Sequence, residues 1–159
     1  MYKRIMVPLD GSEVAEAALP LVCDLASLSE AEIVLLRVVE YPTEVYSVYD
    51  LYHPNDPRLS ETIQEEKRVY FHAAEEYLEG LADSLRKHHY AVLSEIREGP
   101  VVEAINEAAR SLCADVIVIS PHGRSTGSLC GIIGAVANRV LKTSKIPVIL
   151  ASNPQSIPA

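Results

Sequence analysis

The chain of 159 residues has no tryptophan, one phenylalanine and three cysteines. Cys23, Cys113 and Cys130 are odd in number, widely spaced and without a CxxC pair. That excludes the disulfide framework of small secreted domains and leaves reduced, buried thiols as the expectation. No apolar run approaches the ~20 residues a membrane helix needs. The opening "MYKRIMVPLDGSE" breaks at Pro8, too early for a signal peptide, so the cytoplasm is the default location. Positive charge is scarce too: 14 Lys and Arg stand against 22 Asp and Glu, a net charge of -8. Nucleic acid and anionic membranes, which attract basic patches, are poor partners for such a chain. One small phosphate ligand held by local dipoles remains compatible with it.

Several catalytic signatures are also missing. There is no GxxxxGK[ST] and no GxGxxG, so neither a P-loop nor a dinucleotide fingerprint is present. No nucleophile, base and orienting group stand in series, and no carboxylates are spaced for Mg²⁺. His53, His72, His88 and His89 have no ligand spacing, and the "HH" pair suits the negative end of a helix.

What is present is alternation. "RIMVPL", "EIVLLRVVE" and "ADVIVIS" are apolar without a two-residue period, which predicts strands buried on both faces. "YAVLSEIREG" is interrupted by charge and reads as an edge strand. "IPVIL" closes the series, with Pro147 at its start, where a missing N–H does least harm. Helical patterns separate the strands. The first begins at the Ser12 cap and should kink or split at Pro20. The longest begins at a Ser60 cap and presents Ile63, Val69, Tyr70, Ala73, Ala74, Tyr77, Leu78, Leu81 and Leu85 along one face. Another starts near Pro100. The order β-α-β-α-β-α-β-α-β predicts an α/β fold with an open parallel sheet and helices on both faces. Between the second strand and the long helix, residues 41–59 have no period and read as a loop or lid. Its Tyr41, Tyr46, Tyr49 and Tyr52 would stack on a base, meet a partner, or pack onto their own domain.

Glycine is rare, yet four of the seven, Gly123, Gly127, Gly131 and Gly134, fall within "SPHGRSTGSLCGIIGAVANRV". This stretch links a buried strand to a helix at the carboxyl edge of the sheet, where such folds bind ligands. Glycines there bring backbone N–H groups close to a ligand, the next helix adds its positive end, and Arg124 adds charge. The same spacing also serves a plain tight turn, and spacing alone does not choose. His122, beside this loop, could act as a general acid, contact phosphate, or be a surface or supporting histidine. Asp10, before "GSE", could meet a ligand or cap the first helix.

The chain resembles the universal stress protein family over nearly its whole length. "MYKRIMVPLDGSEVAEAALPLVCDLA" is similar to that family's first strand and helix, and "LLRVVE" to its second strand. "SPHGRSTGSLCGIIGAVANRVLKTSKIPVIL" is similar to its signature region. The length suits one domain, which the resemblance places over residues 1–152, and the tail "NPQSIPA", 153–159, should be frayed and flexible. It implies a five-stranded Rossmann-like sheet of order 3-2-1-4-5, of the adenine nucleotide alpha hydrolase-like type. It also implies ATP, with or without Mg²⁺, as ligand and a homodimer through Ile146 to Leu150. Carried over residue by residue, Pro8 would line the adenine pocket and Asp10 would hydrogen-bond the adenosine. Val38 would offer backbone groups to the adenine edge. Gly123 would open the phosphate loop, and Gly134, Ala135 and Val136 would hold phosphates at the last helix.

Three departures from the nucleotide-binding motif, G-x-x-G, nine residues, then G-[S/T], bear on this. Ser120 replaces the first glycine. Ten residues separate Gly123 from Gly134. Ala135 replaces a hydroxyl residue. Thr126 or Ser128 could return that hydroxyl from the longer loop, and losing one neutral hydrogen bond costs only about 0.5–1.5 kcal/mol. Three functions follow: an ATP-binding stress-response regulator acting through its dimer or an unknown protein partner, an interaction module of the same fold without nucleotide, or a slow ATPase.

Overall fold

A computed structural model of the chain describes residues 1–41, 48, 51–53, 55–123 and 133–152. Five strands form one all-parallel sheet: β1 (Arg4–Leu9), β2 (Glu32–Val39), β3 (Val92–Glu98), β4 (Val116–Ile119) and β5 (Val148–Leu150). Their spatial order is β3-β2-β1-β4-β5, as the family resemblance implies. The helices are α1 (Glu13–Glu16), α2 (Leu19–Ser29), α3 (Pro57–Lys87), α4 (Val101–Ser111) and α5 (Ala135–Thr143).

Successive side chains of a strand point to opposite faces, and here both faces are covered. Ile5, Val7, Ile33 and Leu35 pack with Val22, Leu78 and Ala82 of α2 and α3 on one face. Met6, Val34, Leu36 and Ile117 pack with Ile105, Ala108 and Val140 of α4 and α5 on the other. This two-sided burial is why the central strands read as unbroken apolar runs. The chain winds from β1 to β2 and β3 in one direction, then from β4 to β5 in the other. The reversal opens a crevice at the carboxyl ends of β1 and β4.

Pro20 does split the first helix. It sits in the first turn of α2, where its missing N–H is no loss, and Ser12 caps α1 by accepting from the Ala15 N–H at 3.2 Å.

Three expectations need correction. The long helix begins at Pro57, not Ser60: Asp56 is the cap, its side chain accepting from the Arg58 N–H at 3.0 Å, and Ser60 lies inside the helix. A proline at the first helical position is a start signal, and here it was obscured by the surrounding loop composition. The apolar face of α3 is buried only in its second half, at Ala74, Leu78 and Ala82. Val69, Tyr70 and Ala73 are exposed, because this helix of about 46 Å, at 1.5 Å per residue, outruns the sheet it covers. Finally, Cys113 is exposed and Cys23 only half-buried, while Cys130 lies outside the described residues. No helix among the described residues is long and apolar enough to cross a membrane.

Candidate functional site

The crevice is built by three chain exits. At the first, β1 ends in Asp10, and Gly11 takes φ 84°, a conformation that suits glycine. The turn brings Ser12 back onto Asp10: the Ser12 N–H and hydroxyl donate to Asp10 Oδ1 at 2.9 and 2.5 Å. Asp10 therefore buttresses the capping serine instead of capping α1 itself, while Ser12 fixes the carboxylate at the crevice floor. At the second, β4 leads into Ser120, which is buried, and its hydroxyl accepts from the His122 N–H at 3.4 Å. His122 Nδ1 is buried with no hydrogen-bond partner among the described residues. Gly123 crosses directly over Asp10, where a Cβ would lie 2.9 Å from Oδ2.

At the third, α5 begins. Gly134 is its cap, without a side-chain hydrogen bond, and its own N–H donates to the Pro121 carbonyl at 2.7 Å. That bond ties the β4 exit to the helix start. Ala135 and Val136 occupy the first helical positions, whose N–H groups have no acceptor within the helix. They carry the positive end of the helix dipole into the crevice.

Between these exits lies a cavity of about 330 Å³, at the small end of the range for ligand pockets. Pro8, Asp10, Val38, Ser120, His122, Gly123, Gly134, Ala135 and Val136 all line it. Arg124, Thr126 and Ser128, the remaining candidates, lie outside the described residues, as do Gly127 and Gly131. Leu36, Ile105 and Ile119 give the cavity an apolar wall. Two charged lining residues escaped the sequence reading, Arg37 and Glu40. The signal was available: "RVVE" is where the apolar run "IVLL" of β2 turns charged, towards the carboxyl end of the strand. Arg37 Nη1 donates to the Leu9 carbonyl at 3.4 Å.

Tyr77 of α3 donates to Glu16 Oε1 of α1 at 2.8 Å. Burial, then the adjacent Glu16, raise the Tyr77 hydroxyl above its ordinary range. Tyr41 stands apart and packs onto its own domain. Its ring meets Tyr70 edge-on at 6.1 Å and its hydroxyl donates to Glu98 at 3.1 Å. Tyr52 is exposed, and Tyr46 and Tyr49 lie outside the described residues. No group of three or more His, Cys, Asp or Glu side chains that could hold a metal ion occurs among the described residues.

The profile of the universal stress protein family matches residues 1–152. The chain belongs to that family. Universal stress protein MJ0531 of Methanocaldococcus jannaschii is 28% identical, over 98% of this chain and 85% of the relative. Universal stress protein MJ0577 of the same organism is 27% identical, over 98% of both. The solved structure of MJ0577 superposes with a TM-score of 0.71, covering 96% of this chain and 97% of that one. A universal stress protein in complex with cAMP (TM-score 0.61, 19% identity, 95% and 98% coverage) has the same fold. So does that of Archaeoglobus fulgidus in complex with dAMP (0.64, 18%, 95% and 98%).

Proposed function

We propose that this universal stress protein binds an adenine nucleotide, ATP foremost, at the carboxyl end of its sheet. In this reading it acts in the cytoplasm as a stress-response regulator rather than as an enzyme. One observation carries the proposal: a single cavity lined by apolar side chains, by Asp10 and by the first residues of α5, whose amides have no acceptor within the helix. Adenine would lie against Leu36 and Val38, Asp10 would meet the ribose or base, and the Ala135 and Val136 amides would meet phosphate. The family members in complex with cAMP and dAMP support an adenine nucleotide as the ligand class.

Signalling would pass through a homodimer or a protein partner. β5 is a short edge strand whose Val148, Ile149 and Leu150 are all half-buried, and an apolar edge invites pairing with a second copy. A second reading, an interaction module without nucleotide, draws on two features. Ala135 has no hydroxyl, and the Gly134 N–H is already engaged by Pro121.

The test is direct. Purified protein is denatured and the supernatant examined for adenine nucleotide by absorbance and mass. Protein freed of ligand is then titrated with ATP and Mg²⁺, with AMP and with cAMP by calorimetry. Released nucleotide, or heat that saturates, supports the first reading. Silence at millimolar concentrations of all three leaves the interaction module.

A further inference from the structure

The crevice and the long helix are joined by a continuous set of short contacts. It begins at Gly123, where an added Cβ would stand 2.9 Å from Asp10 Oδ2. Asp10 Oδ1 receives both the N–H and the hydroxyl of Ser12. The Ser12 hydroxyl accepts from Ala15 in α1. Glu16, the last residue of α1, accepts from Tyr77 of α3. The Ser12–Asp10, Ala15–Ser12 and Tyr77–Glu16 steps are hydrogen bonds, and the first and last end on a carboxylate, where hydrogen bonds are strongest.

α1 is suited to move as a unit. It has four residues, and only Ala15 among them is buried. Ala17 and Ala18 separate it from α2, whose start has no side-chain cap. Ser12 ties it to the crevice at one end, and Glu16 ties it to α3 at the other. Tyr77 stands next to Leu78, which is fully buried against the sheet, and one turn beyond the exposed first half of α3. A shift at Tyr77 would therefore reach the mostly exposed first half of the helix, whose described contact with the rest of the domain runs through Tyr41, against Tyr70 and Lys67.

We infer that α1 is a relay: a ligand pressing on Asp10 and Gly123 shifts Ser12 and α1, and the Glu16–Tyr77 bond passes the shift to α3. The inference rests on the nucleotide reading and supplies its missing output. Tyr77 does not line the cavity, so its part is to transmit, not to bind. Coupling of this sort is reciprocal, so whatever engages the first half of α3 alters nucleotide affinity by the same factor.

Hydrogen exchange on the full chain, with and without saturating Mg²⁺ and ATP, tests it. In the wild type, the amides of Ala15 and of residues 77–81 should slow by about fivefold or more, the low end of site-to-site coupling. In Tyr77→Phe, nucleotide still binds and Ala15 still responds, but residues 77–81 do not. Glu16→Ala, which removes the acceptor instead, should match it and guards against a folding defect in either variant. Ser12→Ala should silence both reporters. Wild-type protein that binds nucleotide while residues 77–81 stay unchanged overturns the relay and leaves the nucleotide reading intact. So does a response at 77–81 that survives both Tyr77→Phe and Glu16→Ala. Wild-type protein that binds no nucleotide removes the reading and the relay together.

Discussion

The Cβ that Gly123 lacks would stand 2.9 Å from Oδ2 of Asp10. Real side chains do not approach that closely, and Asp10 cannot easily retreat, because Ser12 holds its other oxygen through two hydrogen bonds. The glycine is needed for closeness, not for an unusual backbone angle. Gly123→Ala should therefore push the loop off Asp10 with little effect on the core. Stability should change by no more than about 1 kcal/mol, since the site is outside the core. Nucleotide affinity, read by calorimetry, should fall about tenfold or more, ~1.4 kcal/mol.

Asp10→Ala should act on both stability and binding. It removes a carboxylate that accepts from the Ser12 N–H and hydroxyl, and hydrogen bonds to a charged group contribute about 1.5–3 kcal/mol each. Water can reach this half-buried turn, so a total loss of about 1–3 kcal/mol is expected from urea unfolding. Asp10→Asn keeps an acceptor for Ser12 and should retain most of the stability. A variant that unfolds like the wild type yet fails to bind would separate the carboxylate's charge from its role in the turn.

The two halves of α3 should respond differently to truncation. Leu78 is fully buried, and Leu78→Ala should cost about 2–5 kcal/mol. Val69 is 62% exposed, and Val69→Ala should stay within about 0.5 kcal/mol. Equal losses at the two positions, measured by denaturant midpoint with unchanged slope, would mean that the first half of the helix is packed in solution.

Asp115 predicts an acid limb. The backbone N–H groups of Arg4 and Lys3 donate to its Oδ2 at 2.8 and 2.7 Å, and they hold its carboxyl below the ordinary range. The native carboxylate thus binds a proton less readily than the unfolded one. Its contribution is whole above the unfolded value of about 4 and is lost as pH falls through the lower native value. Asp115→Asn should lower the melting temperature at neutral pH, and the gap to wild type should narrow as pH drops below about 4. A gap that stays constant across that range would mean the amides do not favour the ionised form.

The fold was legible because burial on two faces leaves an unmistakable record in "RIMVPL", "EIVLLRVVE" and "ADVIVI". The split at Pro20 was legible for a covalent reason, the missing N–H. The crevice was legible through Asp10, Gly123 and Gly134, each fixed by a turn or a close approach. The start of α3 was misread because Asp56 and Pro57 look like loop residues when other prolines surround them, although together they form a cap and a first turn. The exposure of Val69 and Tyr70 could not be read at all, since periodicity shows which side of a helix is apolar but not how far the sheet beneath extends. Nor does any motif reveal that the Gly134 amide is engaged by Pro121, a contact between residues 13 apart in the chain.

The central position of β1 has a consequence for biogenesis. Its strand partner β4 lies more than a hundred residues downstream, and the Lys3 and Arg4 amides wait for Asp115 across the same span. A ribosome adding about 5–20 residues per second leaves "RIMVPL" without that neighbour for on the order of ten seconds. The nascent segment is thus a candidate client for chaperones at the exit tunnel, and synonymous codon changes that slow translation between β2 and β4 should lower the yield of native protein.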